Sequence, residues 1–487
     1  MTPPPQTMPP RDRTVILILL IATFVVILNE TIMNVAIPVL MDDLRVSAAS
    51  AQWLSTAFLL TMAVVIPITG FLLQRLSTRT VFFLAMGLFS AGTLLAALAP
   101  GFVPLLLARV VQASGTAIML PLLMTTVLTL VPVQGRGAVM GNISIVISVA
   151  PALGPTISGL ILQAFSWRAM FLFVLPIALA ALAYGARTLR DVGERRDAPL
   201  DVLSIPLSAL GFGGFVYALN QASGPGGLGS PAVLWPLGVA LVALLLFVLR
   251  QRSLIRRDAP LLDLRAFAFP QFSVGVGLMV IAMMALFGGA ILLPLYLQGV
   301  RGLNTLQTGL LLLPGGLVMG LLAPTIGRAY DRIGPRPLTL PGTVLMAGVL
   351  WGLGHITAGT PVWALIALHV TLSVGLALLF TPVFTSSLGP LPPALYSHGS
   401  AILSTLQQVA GAAGTALLVT LYAARSAALG AQGTAPVLAQ QDGIQLAFTV
   451  SAYIAALAIP LALGLKRPAP GSDGHAASNM TSPQPGD

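Results

Sequence analysis

Few residues in this sequence are able to do chemistry, and the first of them is Glu30. It stands in Leu28-Asn29-Glu30-Thr31-Ile32-Met33-Asn34-Val35-Ala36-Ile37-Pro38, which closes an apolar run that begins at Val15. That run is long enough to cross a bilayer as a helix. Of the 14 acidic residues, Glu30 alone falls outside every loop, tail and helix end. A carboxylate in hydrocarbon is costly, so it faces a cavity or a partner and serves as a proton or cation site. The expectation is that Glu30 takes up and releases protons. The alternative is a protonated, hydrogen-bonded structural Glu.

The second is Arg109, in Leu107-Ala108-Arg109-Val110-Val111-Gln112-Ala113-Ser114-Gly115. Arg109 and Gln112 are three apart and share a helix face. An arginine keeps its charge in a protein, so one inside a span demands a counter-ion or a water-filled cavity. With spans at 14–38 and 102–131, Glu30 and Arg109 each lie roughly 12 Å below the same boundary, at 1.5 Å per residue. Equal depth allows a proton-coupling pair where the two spans adjoin, an adjacency that only a family resemblance implies, with Asn29, Asn34 and Gln112 lining a substrate cavity beside it. Snorkelling of Arg109 to the surface is the competing reading.

These side chains need a membrane-embedded scaffold, and composition supplies one. The 487 residues are 56% hydrophobic and 8% charged, against roughly 25% charged in soluble domains. Spans are expected near 14–38, 50–73, 79–99, 102–131, 137–163, 168–188, 202–221, 231–250, 271–297, 306–328, 337–357, 361–388, 398–425 and 444–465, fourteen in all. Arg11 and Arg13 ahead of the first run mimic a signal peptide. The run's length and its Asn29, Glu30 and Asn34 instead predict a retained helix.

An even number of spans puts both termini on one side. With the N-terminus in the cytoplasm, cytoplasmic segments hold 19 of the 24 basic residues, 4 lie outside, and Arg109 is left within a span. This asymmetry fits the positive-inside rule. The net charge of +10 is therefore a topology signal rather than a nucleic-acid surface.

With no cysteine there is no disulfide, thiolate metal site or Cys nucleophile. Lys466 is the single lysine, and no G-x-x-x-x-G-K-[ST], H-E-x-x-H or G-x-S-x-G occurs, which argues against ATP as fuel and against the usual hydrolases. No cofactor and no metal are expected. His369 in span 12 is able to relay protons, but a neutral packed histidine is the preferred reading. Met279, Met283 and Met284 are read as ordinary bundle or lipid-facing side chains rather than a drug pocket.

Two segments resemble each other across the chain: Gly70-Phe-Leu-Leu-Gln74-Arg75-Leu-Ser77-Thr-Arg79 and Gly327-Arg328-Ala-Tyr-Asp331-Arg332-Ile-Gly334-Pro-Arg336. Both fit G-x-x-x-[D/Q]-R-x-[G/S]-x-R in a short loop after an even-numbered span. Duplicated halves are the build of many secondary transporters. Inner loops collect arginine anyway, but that does not explain the Gly and Asp spacing. The pattern resembles the loop signature of the major facilitator superfamily. Such a loop can tie helices together by charge-assisted hydrogen bonds while an inner gate is shut. The gate residues expected are Gly70, Arg75, Arg79, Gly327, Asp331, Arg332 and Arg336; Gln74 replaces the usual Asp in the first copy.

Further motifs extend the resemblance over roughly residues 14 to 465. The Arg109 segment is similar to the superfamily's R-x-x-Q-G element. Pro151-Ala-Leu-Gly154-Pro155-Thr-Ile-Ser158-Gly159 resembles the antiporter element of drug exporters, with Ser158 in place of a Gly. Its small residues permit close packing and its prolines kink the helix. Ser166-Trp167-Arg168 follows, as in the family. The Glu30 stretch is similar to L-D-x-T-x-x-N-x-A-L-P of fourteen-span drug–proton antiporters of the EmrB/QacA type, with Asn29 at the Asp position. The acid one residue on is turned about 100° around the helix. This L-N-E-T variant resembles lincomycin-resistance-type members. Pro294-Leu-Tyr296-Leu-Gln298, Gly309 with Pro314-Gly315-Gly316, and Ser397-His398-Gly399-Ser400 with Gln407-Gln408 are similar to that branch's second half.

The resemblance implies an all-α membrane protein of major-facilitator fold with 14 transmembrane helices. Its expected parts are a tail at 1–13, a six-helix bundle at 14–190, a linker with two extra helices at 191–265, a second bundle at 266–465 and a disordered tail at 466–487. The implied function is proton-driven export of hydrophobic or amphiphilic drugs by a monomer in a bacterial cell membrane, with both termini cytoplasmic. Its partners are small drug-like molecules, protons and the bilayer. Export of one defined metabolite or antibiotic is the nearest rival, with an uptake symporter and an intramembrane enzyme or receptor behind it.

Overall fold

A computed structural model describes residues 9–192, 199–222, 227–257 and 259–466, apart from the side chains of residues 34, 35, 48, 49, 155 and 305. The tail after Lys466 and the segment 193–198 lie outside the described residues. Helices account for the architecture, and no strand occurs among the described residues.

The first six helices are α1 (Pro10–Leu44), α2 (Ala48–Arg75), α3 (Thr78–Ala97), α4 (Phe102–Leu130), α5 (Arg136–Ala164) and α6 (Arg168–Thr188). Next comes α7, an interrupted helix made of Ser204–Ser208, a π-helical turn Ala209–Gly213 and Gly214–Gln221, followed by α8 (Pro231–Ile255). The last six are α9 (Pro270–Leu295), α10 (Thr305–Ile333), α11 (Arg336–Leu353), α12 (Val362–Leu388), α13 (Tyr396–Ala431) and α14 (Pro436–Ala456, with a final turn Ala458–Gly464).

Local sequence sets the helix ends. Ser47 accepts from the Ser50 amide and Ser77 from the Thr80 amide, so each caps the helix that follows it. Asn304 and Gln307 form a reciprocal capping box at the start of α10. Gly334 ends α10 at φ 82°, a conformation that disfavours side chains. The two motif copies thus use their shared Gly/Ser position differently, Gly334 to stop one helix and Ser77 to start the next.

Twelve helices among the described residues are long and apolar enough to cross a membrane. This is fewer than the fourteen expected. The two segments that fall short are 202–221, which the π-helical turn breaks into short pieces, and 337–357, where an 18-residue helix opens on Arg336 and carries Pro341. The helix of span 1 is also longer than expected. It starts at Pro10, inside the presumed tail, and runs through Pro38 to Leu44.

Packing repeats with a shift of eight helices. In the first six, α1 packs on α4, α5 and α6, α2 on α4, and α3 on α4 and α6. In the last six, α9 packs on α12, α13 and α14, α10 on α12, and α11 on α12 and α14. The duplicated loop motif is thus the visible trace of a duplicated three-dimensional unit. The two sets meet along α5 against α10 and α2 against α13, while α7 and α8 lie outside, with α7 against both α2 and α13.

Candidate functional site

Glu30 is carried by the middle of α1, where α5 crosses closely. A β-carbon added at Gly154 would collide with Thr31 Oγ1, so only glycine lets the backbone next to Glu30 come this near. Thr31 Oγ1 also lies 3.0 Å from the Leu28 carbonyl and 3.5 Å from that of Ala150 on α5. The antiporter-like element therefore fixes α1 at the level of its carboxylate. Its members differ: around Gly159 an added β-carbon would meet nothing within 4 Å. Ser158 hydrogen-bonds Met170 Sδ on α6, and α5 runs through Pro151 without interruption. The side chains of Asn34 and Pro155 lie outside the described residues.

Arg109 is 1% exposed. Its Nη1 donates to Gln112 Oε1 at 2.5 Å, Gln112 Nε2 donates to Thr93 Oγ1 on α3 at 2.8 Å, and the guanidinium lies 4.0 Å from the centre of the Phe58 ring on α2. Gln112 is itself fully buried, so it holds the arginine in place. No hydrogen bond or ion pair joins Glu30 to Arg109, although each is the charge acting on the other through space. Arg109 Nε and the buried Asn29 Nδ2 have no hydrogen-bond partner among the described residues. The packing of α1 on α4 and the equal depth bring the two charges into one neighbourhood, but Gln112 and Phe58 occupy the guanidinium. An apolar α2 sequence gives no sign of that aromatic partner.

Of the residues expected to form a gate, Asp331, Gly327 and Gly70 sit where the two sets of helices touch. Asp331 accepts from the amides of Gly137 (2.9 Å) and Ala138 (3.1 Å), the first turn of α5. A carboxylate on unpaired amides at a helix N-terminus is favoured by hydrogen bonding and by the helix dipole. Gly137 and Gly327 are in backbone contact there, and neither tolerates a β-carbon. At the equivalent place on the other seam, Gln74 Nε2 donates to the Ala394 carbonyl at 2.9 Å, and Gly70 packs on His398. One seam is thus closed by a charged contact and the other by a neutral one. Arg79 donates to the Ala186 carbonyl after crossing to α6, Arg75 stacks near Phe71, and Arg336 donates to the Leu465 carbonyl. Arg79 and Arg336 thus tie helices within a set, whereas the Arg75–Phe71 contact stays within α2. Arg332 lies in the last turn of α10.

Sequence reasoning missed Arg136, which counted only as a loop charge. It is 7% exposed, and it donates to the carbonyls of Leu128 and Val131 at the end of α4, to Tyr396 Oη (3.1 Å) and to the Gly389 carbonyl (3.4 Å). It therefore bridges both sets of helices. Its position was the available signal: a cation in the first turn of a helix opposes the helix dipole and so needs another purpose. Farther along the same seam, Thr381 on α12 bonds Ser144 on α5 (2.8 Å), while Tyr330, whose ring lies by Gly137, is bonded by Ser386 within the second set. At the opposite end, Asp43 accepts from Trp167 Nε1 (2.7 Å) and Arg168, whose Nη2 reaches the Ala99 carbonyl.

A family model described as Major Facilitator Superfamily matches residues 19–415. The chain belongs to the major facilitator superfamily. It is 42% identical over 453 residues to the lincomycin resistance protein LmrB of Listeria monocytogenes, covering 92% of this chain and 95% of that one. It is 40% identical to the MFS-type transporter YcnB of Bacillus subtilis, covering 94% and 96%. A multidrug resistance protein B homolog of Mycobacterium tuberculosis is 30% identical, covering 81% and 73%. Among solved structures, the human organic anion transporter MFSD10 superposes with a TM-score of 0.65 at 17% identity, covering 93% of this chain and all of the other. The proton:xylose symporter XylE gives 0.62 at 15%, covering 92% and 94%. At such identities these two establish the fold alone. This member of the superfamily is a multi-pass membrane transporter and not an enzyme.

Proposed function

We propose that this chain is a proton-coupled exporter of hydrophobic or amphiphilic drugs, working by alternating access with Glu30 as the proton carrier. The observation that carries the reading is Glu30 itself, a carboxylate in the middle of a membrane helix with neither hydrogen bond nor ion pair among the described residues, close enough to Arg109 for their charges to interact. Such a group changes charge at least energetic cost when protonation replaces the missing partner. Relatives named for lincomycin and multidrug resistance support drugs as cargo.

In the cycle proposed, Glu30 gains a proton from outside, which weakens the hold on substrate. Substrate entering from the cytoplasm then favours loss of that proton inward. Each charge moved is worth about 2.3 kcal/mol per 100 mV, enough to bias the cycle. Asn29 and Asn34 line the substrate path, and Arg109, fixed by Gln112, tunes Glu30. The seams closed by Asp331 and Gln74 are the cytoplasmic gate, with Gly70, Arg75, Arg79, Gly327, Arg332 and Arg336 framing it. The arrangement is a six-helix bundle at 14–190, a linker pair at 191–265 and a six-helix bundle at 266–465. In this reading α7 and α11 cross the membrane as well, giving fourteen crossings and both termini in the cytoplasm. The packing of α11 against α12 and α14, the counterpart of α3 against α4 and α6, supports that count.

The test is substrate-coupled proton movement in proteoliposomes. Glu30→Gln is expected to abolish it, together with protonophore-sensitive dye efflux from cells; undiminished coupling would refute the assignment. The LmrB resemblance favours a second, narrower reading, export of one antibiotic class, which a broad resistance panel separates from the first.

A further inference from the structure

We propose that the end of α8 nearest the Asp331 latch carries a binding site for the phosphate headgroup of an anionic lipid. Leu249, Arg252, Ser253, Arg256 and Arg257 line an open recess of about 380 Å³ there. Other arginines nearby are spent: Arg250 is held by Asp201 (2.7 Å) and Arg265 by Asp263 (2.7 Å). Arg252, Arg256 and Arg257 are exposed and have no carboxylate partner among the described residues.

The wall below the recess says what kind of phosphate compound fits. On one face of α8, Val233, Ala240, Ala243, Phe247, Gln251 and Leu254 are buried. On the other, Val242, Leu245 and Leu249 are exposed and continue at helical spacing into Arg252 and Arg256. An acyl chain laid along that stripe brings its headgroup onto the guanidinium groups. Arginine grips phosphate oxygens in a forked, charge-assisted geometry. In a membrane-crossing helix that stripe faces the bilayer, so a lipid lying on it already has its headgroup at the level of the arginines, and lipid is the favoured source of the phosphate. Arginines gathered only by the positive-inside rule need no recess and no attached stripe.

The experiment uses the purified full chain in neutral detergent, with thermal unfolding and native mass spectrometry as readouts. Doping with phosphatidylglycerol is expected to raise Tm and leave lipid bound, whereas phosphatidylethanolamine or inorganic phosphate does neither. An arginine at an anionic membrane surface contributes about fivefold in affinity, so Arg252→Gln/Arg256→Gln/Arg257→Gln should weaken binding roughly a hundredfold. Removing three exposed arginines elsewhere, Arg11→Gln/Arg13→Gln/Arg328→Gln, should leave it within a fewfold. If the first triple variant does not fold, Arg256→Gln alone should weaken binding about fivefold. The proposal is overturned if the recess variants bind phosphatidylglycerol as the parent does, if both triple variants lose it equally, or if inorganic phosphate reproduces the shift.

Discussion

Asp331→Asn isolates the charged half of the proposed gate without changing its shape. The carboxylate receives two amide hydrogen bonds from the first turn of α5. Hydrogen bonds to a charged group contribute about 1.5–3 kcal/mol each, against about 1 for neutral ones. Asparagine can keep one contact in neutral form, but it must turn its NH2 toward the other amide, placing donor against donor. The half-buried setting tempers the loss, which leaves about 2 kcal/mol against the closed arrangement, close to 30-fold in the closed-to-open ratio. The absence of cysteine gives a clean assay. Ser386→Cys is a reporter, because Ser386 is 1% exposed and sits against Tyr330 in the same seam. Maleimide labelling of that cysteine is expected to accelerate about 30-fold when Asp331→Asn is added. Labelling at the parent rate would refute the claim that this carboxylate holds the gate.

Gln74→Ala, which removes a neutral bond to Ala394, should accelerate the same labelling about fivefold, from a loss near 1 kcal/mol. Gly154→Ala should cut transport sharply by forcing α1 from α5, at a packing cost of about 1–3 kcal/mol, whereas Gly159→Ala, facing open space, should leave transport intact. A paired efflux assay at matched expression checks this. Arg109→Lys should lower transport at least tenfold, because a lysine does not place a planar guanidinium both on Gln112 Oε1 and over the Phe58 ring. Asp201 is held down to about 2 from an ordinary 3.8, first by its hydrogen bond from Arg250. A carboxyl lowered on folding stabilises the fold above its unfolded value and loses that contribution as pH falls toward about 2. The Tm advantage of the parent over Asp201→Asn should therefore be constant from neutrality to about pH 4 and vanish near pH 2.

Much of the scaffold is legible because membrane helices announce themselves by apolar length, and the paired loop motifs revealed the repeat. The structure differs where sequence signals are averages. Pro38 reads as a boundary, yet α1 continues through it, since a helix can absorb a proline when neighbouring segments support it. Span 7 fails as a regular helix because Gly211, Gly213 and Gly214 fall at its centre, where the π turn forms. At the site, residue types were readable but partners were not. Asp331 was expected to tie helices together by charge-assisted hydrogen bonds, but nothing in the sequence named its partners, two backbone amides of α5 in the other set. Arg136 went unnoticed because its carbonyl partners are backbone atoms, which carry no sequence signature.

The interrupted helix α7 touches both moving parts. Asn220 accepts from Thr56 on α2, and the Ala222 carbonyl accepts from Thr420 on α13. Any parting of α2 from α13 at that end has to stretch, slide or unhook this strap, and the loosely wound turn at Ala209–Gly213 is where slack is stored. A compound wedged from the lipid side between α7 and α13 would therefore hold the two sets of helices in one arrangement without competing with cargo, and its potency would not depend on cargo concentration.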